Sequence, residues 1–295
     1  MINKKEKIGY FYAIGAFTFW GLVPIYFKMV SNIPALEVLA NRVIWSVVFL
    51  AFLLIITKQH RYLKNIFKNF KELKMLLLSS ALVTTNWLIF IIAINTNQLV
   101  EASFGYFINP LVSVLLAYIF LKERLNKVQS FALLLAVLAV IYQIFTLKSF
   151  PFIALALAFS FAFYGLVRKK VNLVAMPGLF IETLLMSPVA LVYMMHLEKN
   201  SLSHLHLSFD AQTLLLILAG FITVVPLAWF NAAATKIPYS TLGFIQYIGP
   251  TISFLLAIFI YHEPFDMHKF ISFALIWIAL LIFSSNSIYK SAKNS

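Results

Sequence analysis

Apolar runs of about twenty residues follow one another along almost the whole chain, separated only by short polar connections. An unpaired backbone amide in hydrocarbon costs several kcal/mol, so runs of that length fold as membrane-spanning helices. Strands of a barrel would alternate apolar and polar residues, and these runs do not. Composition points the same way: 62% of the 295 residues are hydrophobic and 11% charged, too few polar groups to cover a water-soluble surface.

The expected fold is an all-α polytopic membrane protein of ten transmembrane helices, at 8–30, 36–57, 73–95, 99–121, 127–147, 150–168, 175–196, 211–234, 239–261 and 268–288. The first run follows Lys4, Lys5 and Lys7, but it is too long for a cleaved signal peptide and lacks a small-x-small cleavage site, so it reads as a retained helix. Orientation follows from the basic residues, which are retained in the cytoplasm. Eighteen of them fall on the side of the two termini, in groups such as Lys58, Arg61, Lys64 and Arg168, Lys169, Lys170. Only Lys28, Lys148, Lys199 and Lys269 fall on the other side, and Arg42 lies within a span. Both termini are therefore expected in the cytoplasm. The net charge of +13 reads as orientation and not as nucleic-acid binding, because the basic residues lie in short loops. The absence of Cys excludes disulfides and thiolate metal sites.

Sliding the chain along itself exposes a duplication. Phe17-Thr-Phe19-Trp20-Gly21-Leu22-Val23 returns as Phe161-Ala-Phe163-Tyr164-Gly165-Leu166-Val167. Phe104, Ile108, Pro110, Ser113 and Glu123 return as Phe244, Ile248, Pro250, Ser253 and Glu263. The division predicted is two five-helix repeats, 8–147 and 150–288. Five spans per repeat is an odd number, so the second repeat inserts upside down relative to the first. Inverted repeats are the architecture by which a carrier presents one midplane site to each side in turn.

Ionisable groups inside the bilayer cost at least ~2.5 to 3.5 kcal/mol each, so they mark function by default. Glu37, Arg42, Glu101 and Glu182 are the members of that set. Glu37 and Arg42 are five residues apart, about 140° around a helix, and do not share a face. Arg42 either anchors a carboxylate substrate or closes an ion pair with Glu101 or Glu182. Glu37, Glu101 and Glu182 are candidates for carrying a coupling proton, unless Glu37 and Glu101 sit at the outer interface and are simply solvated. Asn41, Asn86, Asn95, Asn109, Asn231 and Gln246, with Trp20, Trp87, Trp229, Tyr106 and Tyr247, complete the polar and aromatic set; interhelical hydrogen bonding is the plainer role for the amides. Asn109-Pro110 and Gly249-Pro250 predict matched helix breaks, Gly21 and Gly165 predict close helix approach, and Pro24 is placed to open the first span.

An enzyme is harder to build from this inventory. All six His (60, 196, 204, 206, 262 and 268) fall in loops or at span ends, so an intramembrane Ser/His pair or metal-bound water has no base or ligand. His204 and His206 read as plain loop residues and no metal or cofactor is expected. There is no His-Glu-x-x-His and no Gly-rich phosphate loop followed by Lys-Ser/Thr, so the chain has no ATP-driven half. The expected function is gradient-driven carriage of a small molecule across the bilayer. An intramembrane ligand sensor or enzyme is the alternative, and the oligomeric state is open.

Four strings carry a resemblance to a known family: Glu37-Val-Leu-Ala-Asn41-Arg42-Val-Ile-Trp45-Ser46, Glu101-Ala-Ser-Phe-Gly105-Tyr-Phe-Ile-Asn109-Pro110, Phe159-Ser-Phe-Ala-Phe-Tyr-Gly-Leu-Val-Arg-Lys-Lys170 and Ser240-Thr-Leu-Gly243-Phe-Ile-Gln246-Tyr-Ile-Gly249-Pro250. Over essentially its whole length the chain resembles the EamA branch of the drug/metabolite transporter superfamily. The resemblance implies ten helices as two inverted five-helix repeats around a central cavity in the bacterial inner membrane. It assigns no role to Glu37, Arg42, Glu101, Asn109 or Gln246, and it leaves the substrate open.

Overall fold

A computed structural model describes residues 4–67, 69–122, 124–147, 150–171, 173–205, 210–234, 236–237 and 245–293. Among the described residues every regular element is helical. The principal helices are α1 (Lys4–Met29), α2 (Ala35–Ile56), α3 (Phe70–Asn95), α4 (Leu99–Leu121), α5 (Lys127–Leu147), α6 (Phe152–Val171), α7 (Ala175–Lys199), α8 (Ala211–Ala234), α9 (Ile248–Leu255) and α10 (Met267–Lys293). Nine of them are long and apolar enough to cross a bilayer. The exception is α9, which continues through a π-helical turn, Leu256–Ile260, and stays short. Of the span expected at 239–261, residues 239–244 lie outside the described residues, as do Glu123 and His206. Between α2 and α3 the chain coils into a 3-10 turn (Gln59–Tyr62) and a short helix (Leu63–Phe67).

Short polar side chains set the helix starts by accepting from amides that have no partner in the first turn. Asn126 Oδ1 accepts from the Gln129 amide at 2.9 Å while Gln129 Oε1 accepts from the Asn126 amide at 3.1 Å, a reciprocal cap on α5. Asn69 caps α3 through the Glu72 amide, Asp210 caps α8 through Thr213 at 2.7 Å, and Asp266 caps α10 through Lys269 at 2.8 Å. The prolines behave less uniformly than expected. Pro24 and Pro110 sit inside helices that run straight through them, so α1 is not opened and α4 is not broken. Pro250 is the third residue of α9, where a missing N–H costs no ladder bond. The matched break predicted from Pro110 and Pro250 is therefore present on one side only: a proline within a packed helix forfeits one bond, and neighbouring helices hold the rest in place.

The two halves of the chain interleave. α1 packs on α8 and α9, α2 on α7 and α8, α3 on α6 and α7, α4 on α6 and α9, and α5 on α10. Small residues let the backbones close up: a Cβ at Gly105 would stand 2.5 Å from the Ala154 carbonyl oxygen, and Gly220 lies against the backbone of Trp45. Phe27, Phe104 and Phe273 are fully buried in the main core, whereas Phe11, Phe52, Phe145, Phe259 and Leu281 face outward, as side chains in contact with lipid do.

Candidate functional site

Arg42 stands seven residues into α2, roughly 10 Å along the helix axis from its start at 1.5 Å per residue. It is only 8% exposed. Its Nε donates to Thr223 Oγ1 of α8 at 2.9 Å, and Thr223 in turn donates to the Ala219 carbonyl at 2.9 Å, which fixes the acceptor. The guanidinium lies 4.2 Å from the Trp87 ring centroid and 5.5 Å from that of Phe27, within cation–π range of both. The hydroxyls of Tyr26 and Tyr106 are close enough to interact with its charge. Neither of the carboxylates expected as an ion-pair partner reaches it. Among the described residues Arg42 has no ion pair, and its two terminal nitrogens have no hydrogen-bond partner.

Asn86, next to Trp87, is buried and ties three helices together. Its Nδ2 donates to the Leu157 carbonyl at 3.1 Å and to Ser160 Oγ at 2.9 Å, and its Oδ1 accepts from Tyr106 at 3.2 Å. Asn109 Nδ2 donates to the Ala158 carbonyl at 2.9 Å, and Asn41 Nδ2 to the Glu37 carbonyl at 3.0 Å. These amides are spent on helix-to-helix and local bonds. Asn231 differs, its Nδ2 being buried with no hydrogen-bond partner among the described residues. Trp229 packs edge-on to Phe19 at 6.2 Å, on the α1–α8 side of the bundle and away from Arg42's aromatic walls, with 36% of its surface exposed. Gln246 is half-buried beside Tyr247, whose ring stacks on Phe107 at 6.3 Å. Of the expected site residues, then, Arg42, Trp87 and Asn86 come together, joined by Phe27, Tyr26, Tyr106 and Thr223; Trp229, Asn231 and Gln246 do not join them.

Each of the other charged groups has its own partners. Glu37, expected either as a path residue or as solvated, is fully buried. Its Oε1 accepts from the backbone amide of His204 at 2.7 Å and its Oε2 lies 2.7 Å from His204 Nδ1. His204 is thus a clamp on α2 and not a plain loop residue: the 200–205 segment folds back over the start of α2. Glu101 accepts from the amides of Ile153 and Ala154 at the start of α6. Glu182 accepts from Ser79 Oγ at 2.5 Å and Tyr164 OH at 3.2 Å, with Arg168 Nη1 at 3.6 Å. Glu263, which the sequence marks only through its repeat partner Glu123, accepts from the amides of Leu99 and Val100 at 2.8 Å each, at the start of α4. A carboxylate at a helix N-terminus satisfies orphan amides and complements the helix dipole.

The glycines expected to permit close approach divide. At Gly21 an added Cβ would stand 2.7 Å from Ile252 Cβ and 2.9 Å from the Gly249 carbonyl oxygen, and Ser253 Oγ donates to the Gly21 carbonyl at 3.2 Å. At Gly165 nothing lies within 4 Å. Close packing is realised at the first of the pair and not at the second.

Fold and site together define a multi-pass helical membrane protein with a polar, charged interior. The comparisons with known proteins give that class a family. The EamA-like transporter family model matches twice, over residues 7–145 and 149–285, and the chain belongs to that family. It is 47% identical over 295 residues to Protein RarD of Escherichia coli (strain K12), with 100% of both chains covered. It is 46% identical over 286 residues to an uncharacterized transporter of Vibrio cholerae, covering 97% of this chain and 95% of that one. A crystal structure at 13% identity superposes with a TM-score of 0.58 over 96% of this chain and 97% of its own, a likeness of fold alone.

Proposed function

We propose that this chain is a secondary carrier of the bacterial inner membrane, made of two oppositely inserted five-helix repeats, 8–147 and 150–288, with both termini in the cytoplasm. It exports a small amphipathic metabolite or drug by alternating access, and the cargo sits at Arg42 among Trp87, Phe27, Tyr26, Tyr106 and Thr223. The observation that carries this reading is an exchange symmetry in the packing. Replace each helix by the one five places away and the principal pairings are preserved: α1–α8 becomes α6–α3, α1–α9 becomes α6–α4, α2–α8 becomes α7–α3, while α2–α7, α4–α9 and α5–α10 map onto themselves. A bundle whose halves are interchangeable has two equivalent ways of leaning, which is what alternating access needs. Loop charge supports the orientation, with eighteen basic residues on one side and four on the other.

Protons are the proposed coupling ion, and Glu37 is the strongest of the three candidate carboxylates. Glu101 is occupied as a helix cap and Glu182 is held by Arg168, Ser79 and Tyr164. Glu37 alone is held by an imidazole, itself a proton-binding group, on a segment partly open at one face of the bundle.

The test is counterflow in proteoliposomes. Vesicles containing the purified protein and loaded with candidate metabolites should take up the labelled compound against protein-free controls, and an imposed pH gradient should drive accumulation only while Glu37 is present. A broad panel that gives no counterflow, or termini labelled from the outside of intact cells, contradicts the reading.

A further inference from the structure

The charge inventory around Arg42 constrains the chemistry of what binds there. The chain has ten acidic residues, and four lie in or against the bundle near the membrane-spanning helices: Glu37, Glu101, Glu182 and Glu263. All four are engaged elsewhere, with His204, with the start of α6, with Arg168 and with the start of α4. Among the described residues none of the four is paired with Arg42. Among the described residues, a guanidinium that is 8% exposed therefore stands without a carboxylate partner. A buried cation left that way is costly in a membrane, and the cost is recovered when an anion arrives.

The geometry narrows the anion further. Thr223 takes Nε, so the two terminal nitrogens form the open edge of the fork, the edge that a carboxylate engages through two parallel bonds. Among the described residues no second cation pairs with this site, and one positive charge matches a single negative charge. The walls are aromatic: Trp87 and Phe27 flank the guanidinium, Phe90 stands 6.1 Å from Phe27 and 5.6 Å from Tyr106. Such walls suit a flat apolar body and give an ammonium group no carboxylate to pair with.

We infer that the cargo is a small organic monoanion, a carboxylate on a flat apolar body, and not a zwitterion. The inference rests on the carrier reading for the step of transport, but the recognition at Arg42 is measurable without it. The full-length protein in nanodiscs is titrated with benzoate, phenylacetate and cinnamate, with the matching amides, and with phenylalanine as the zwitterion. At least one acid binds saturably, about tenfold or more tighter than its amide and tighter than phenylalanine. Arg42→Gln abolishes that preference and Arg42→Lys keeps a weaker form of it. Trp87→Ala, which leaves the charge in place, lowers affinity for the acids and serves as the second variant should Arg42→Gln fail to fold. Amides or phenylalanine binding as well as the acids, an acid preference that survives Arg42→Gln, or no binding by any acid overturns the inference. Counterflow of neutral compounds alone overturns the anion assignment and leaves the carrier standing; Arg42-dependent acid binding without any flux overturns the carrier and leaves the site.

Discussion

Glu37 and His204 meet at two points: one carboxylate oxygen takes the backbone amide of His204 and the other lies 2.7 Å from its Nδ1. They are 167 residues apart in sequence, one in the first turn of α2 and the other in the connection between α7 and α8, so the contact fastens one half of the chain to the other. The carboxylate is fully buried, the imidazole about one-third exposed.

His204→Ala removes the imidazole and leaves the backbone amide, so Glu37 keeps one of its two partners. A buried charged acceptor deprived of a bond costs about 1 to 3 kcal/mol. The variant is expected to unfold at lower temperature in detergent, and Glu37→Gln in the same background should recover part of the loss because a neutral amide tolerates the vacancy better. Additive losses in that double-mutant cycle would show that the pair is not coupled.

Glu263 is expected to matter for assembly and not for recognition. It stands at the start of α4, where its two oxygens serve the Leu99 and Val100 amides. Glu263→Ala leaves both donors buried and should cost about 1 to 3 kcal/mol in stability, read as a lower thermal midpoint in nanodiscs. Glu263→Gln keeps one acceptor and should fall between. A variant that keeps full stability but loses ligand affinity would move Glu263 into the binding machinery.

Much of this architecture was legible in the sequence, and what was not has a physical reason. Nine of the ten expected spans, the family and the placement of Arg42 inside a span follow from run length and the quoted strings, all local properties of the chain. Partners are not local. Nothing near His204 announces that its loop folds back over α2, and nothing near Thr223 announces that it will hold Arg42 from α8. Of the two alternatives for Arg42, the ion pair with Glu101 or Glu182 is absent among the described residues for the same reason: distance along the sequence does not say which end of the bundle a side chain reaches, and Glu182 finds Arg168 instead. The proline pair misled because Pro110 and Pro250 match by type, whereas the helix around each is decided by what packs against it. Glu263 was legible only through its match with Glu123.

Glu182 offers a direct contrast with Arg42, since it is a buried charge with a partner on hand. Removing one member of a buried pair costs about 3 to 5 kcal/mol, because the other is left uncompensated. Glu182→Ala should therefore be among the most destabilising single changes in the chain, and Arg168→Gln on top of it should restore part of the loss. Glu182→Gln keeps acceptors for Ser79 and Tyr164 and should cost less. If Glu182→Ala is as stable as the parent, the 3.6 Å ion pair contributes nothing.

Gly21 and Gly165 occupy equivalent places in the two repeats, yet one is packed and the other open. Gly21 lies against Ile252 and Gly249 of α9, and a shift of 140 residues converts those into Val112 and Asn109 of α4, the helix beside α6. In the exchanged state of an alternating bundle, Gly165 should close on Val112 and Asn109 as Gly21 now closes on its own neighbours. Gly165→Val has room in the present arrangement and should fold with stability close to that of the parent, within about 0.5 kcal/mol for a substitution that creates no clash. It should nevertheless block the exchange, so ligand binding survives while counterflow is lost. Gly21→Val, which would meet Ile252 at once, should instead destabilise the protein outright. Both are read by thermal unfolding and by flux in the same proteoliposomes, and a Gly165→Val protein that transports at the parental rate would mean that the two glycines do not trade environments.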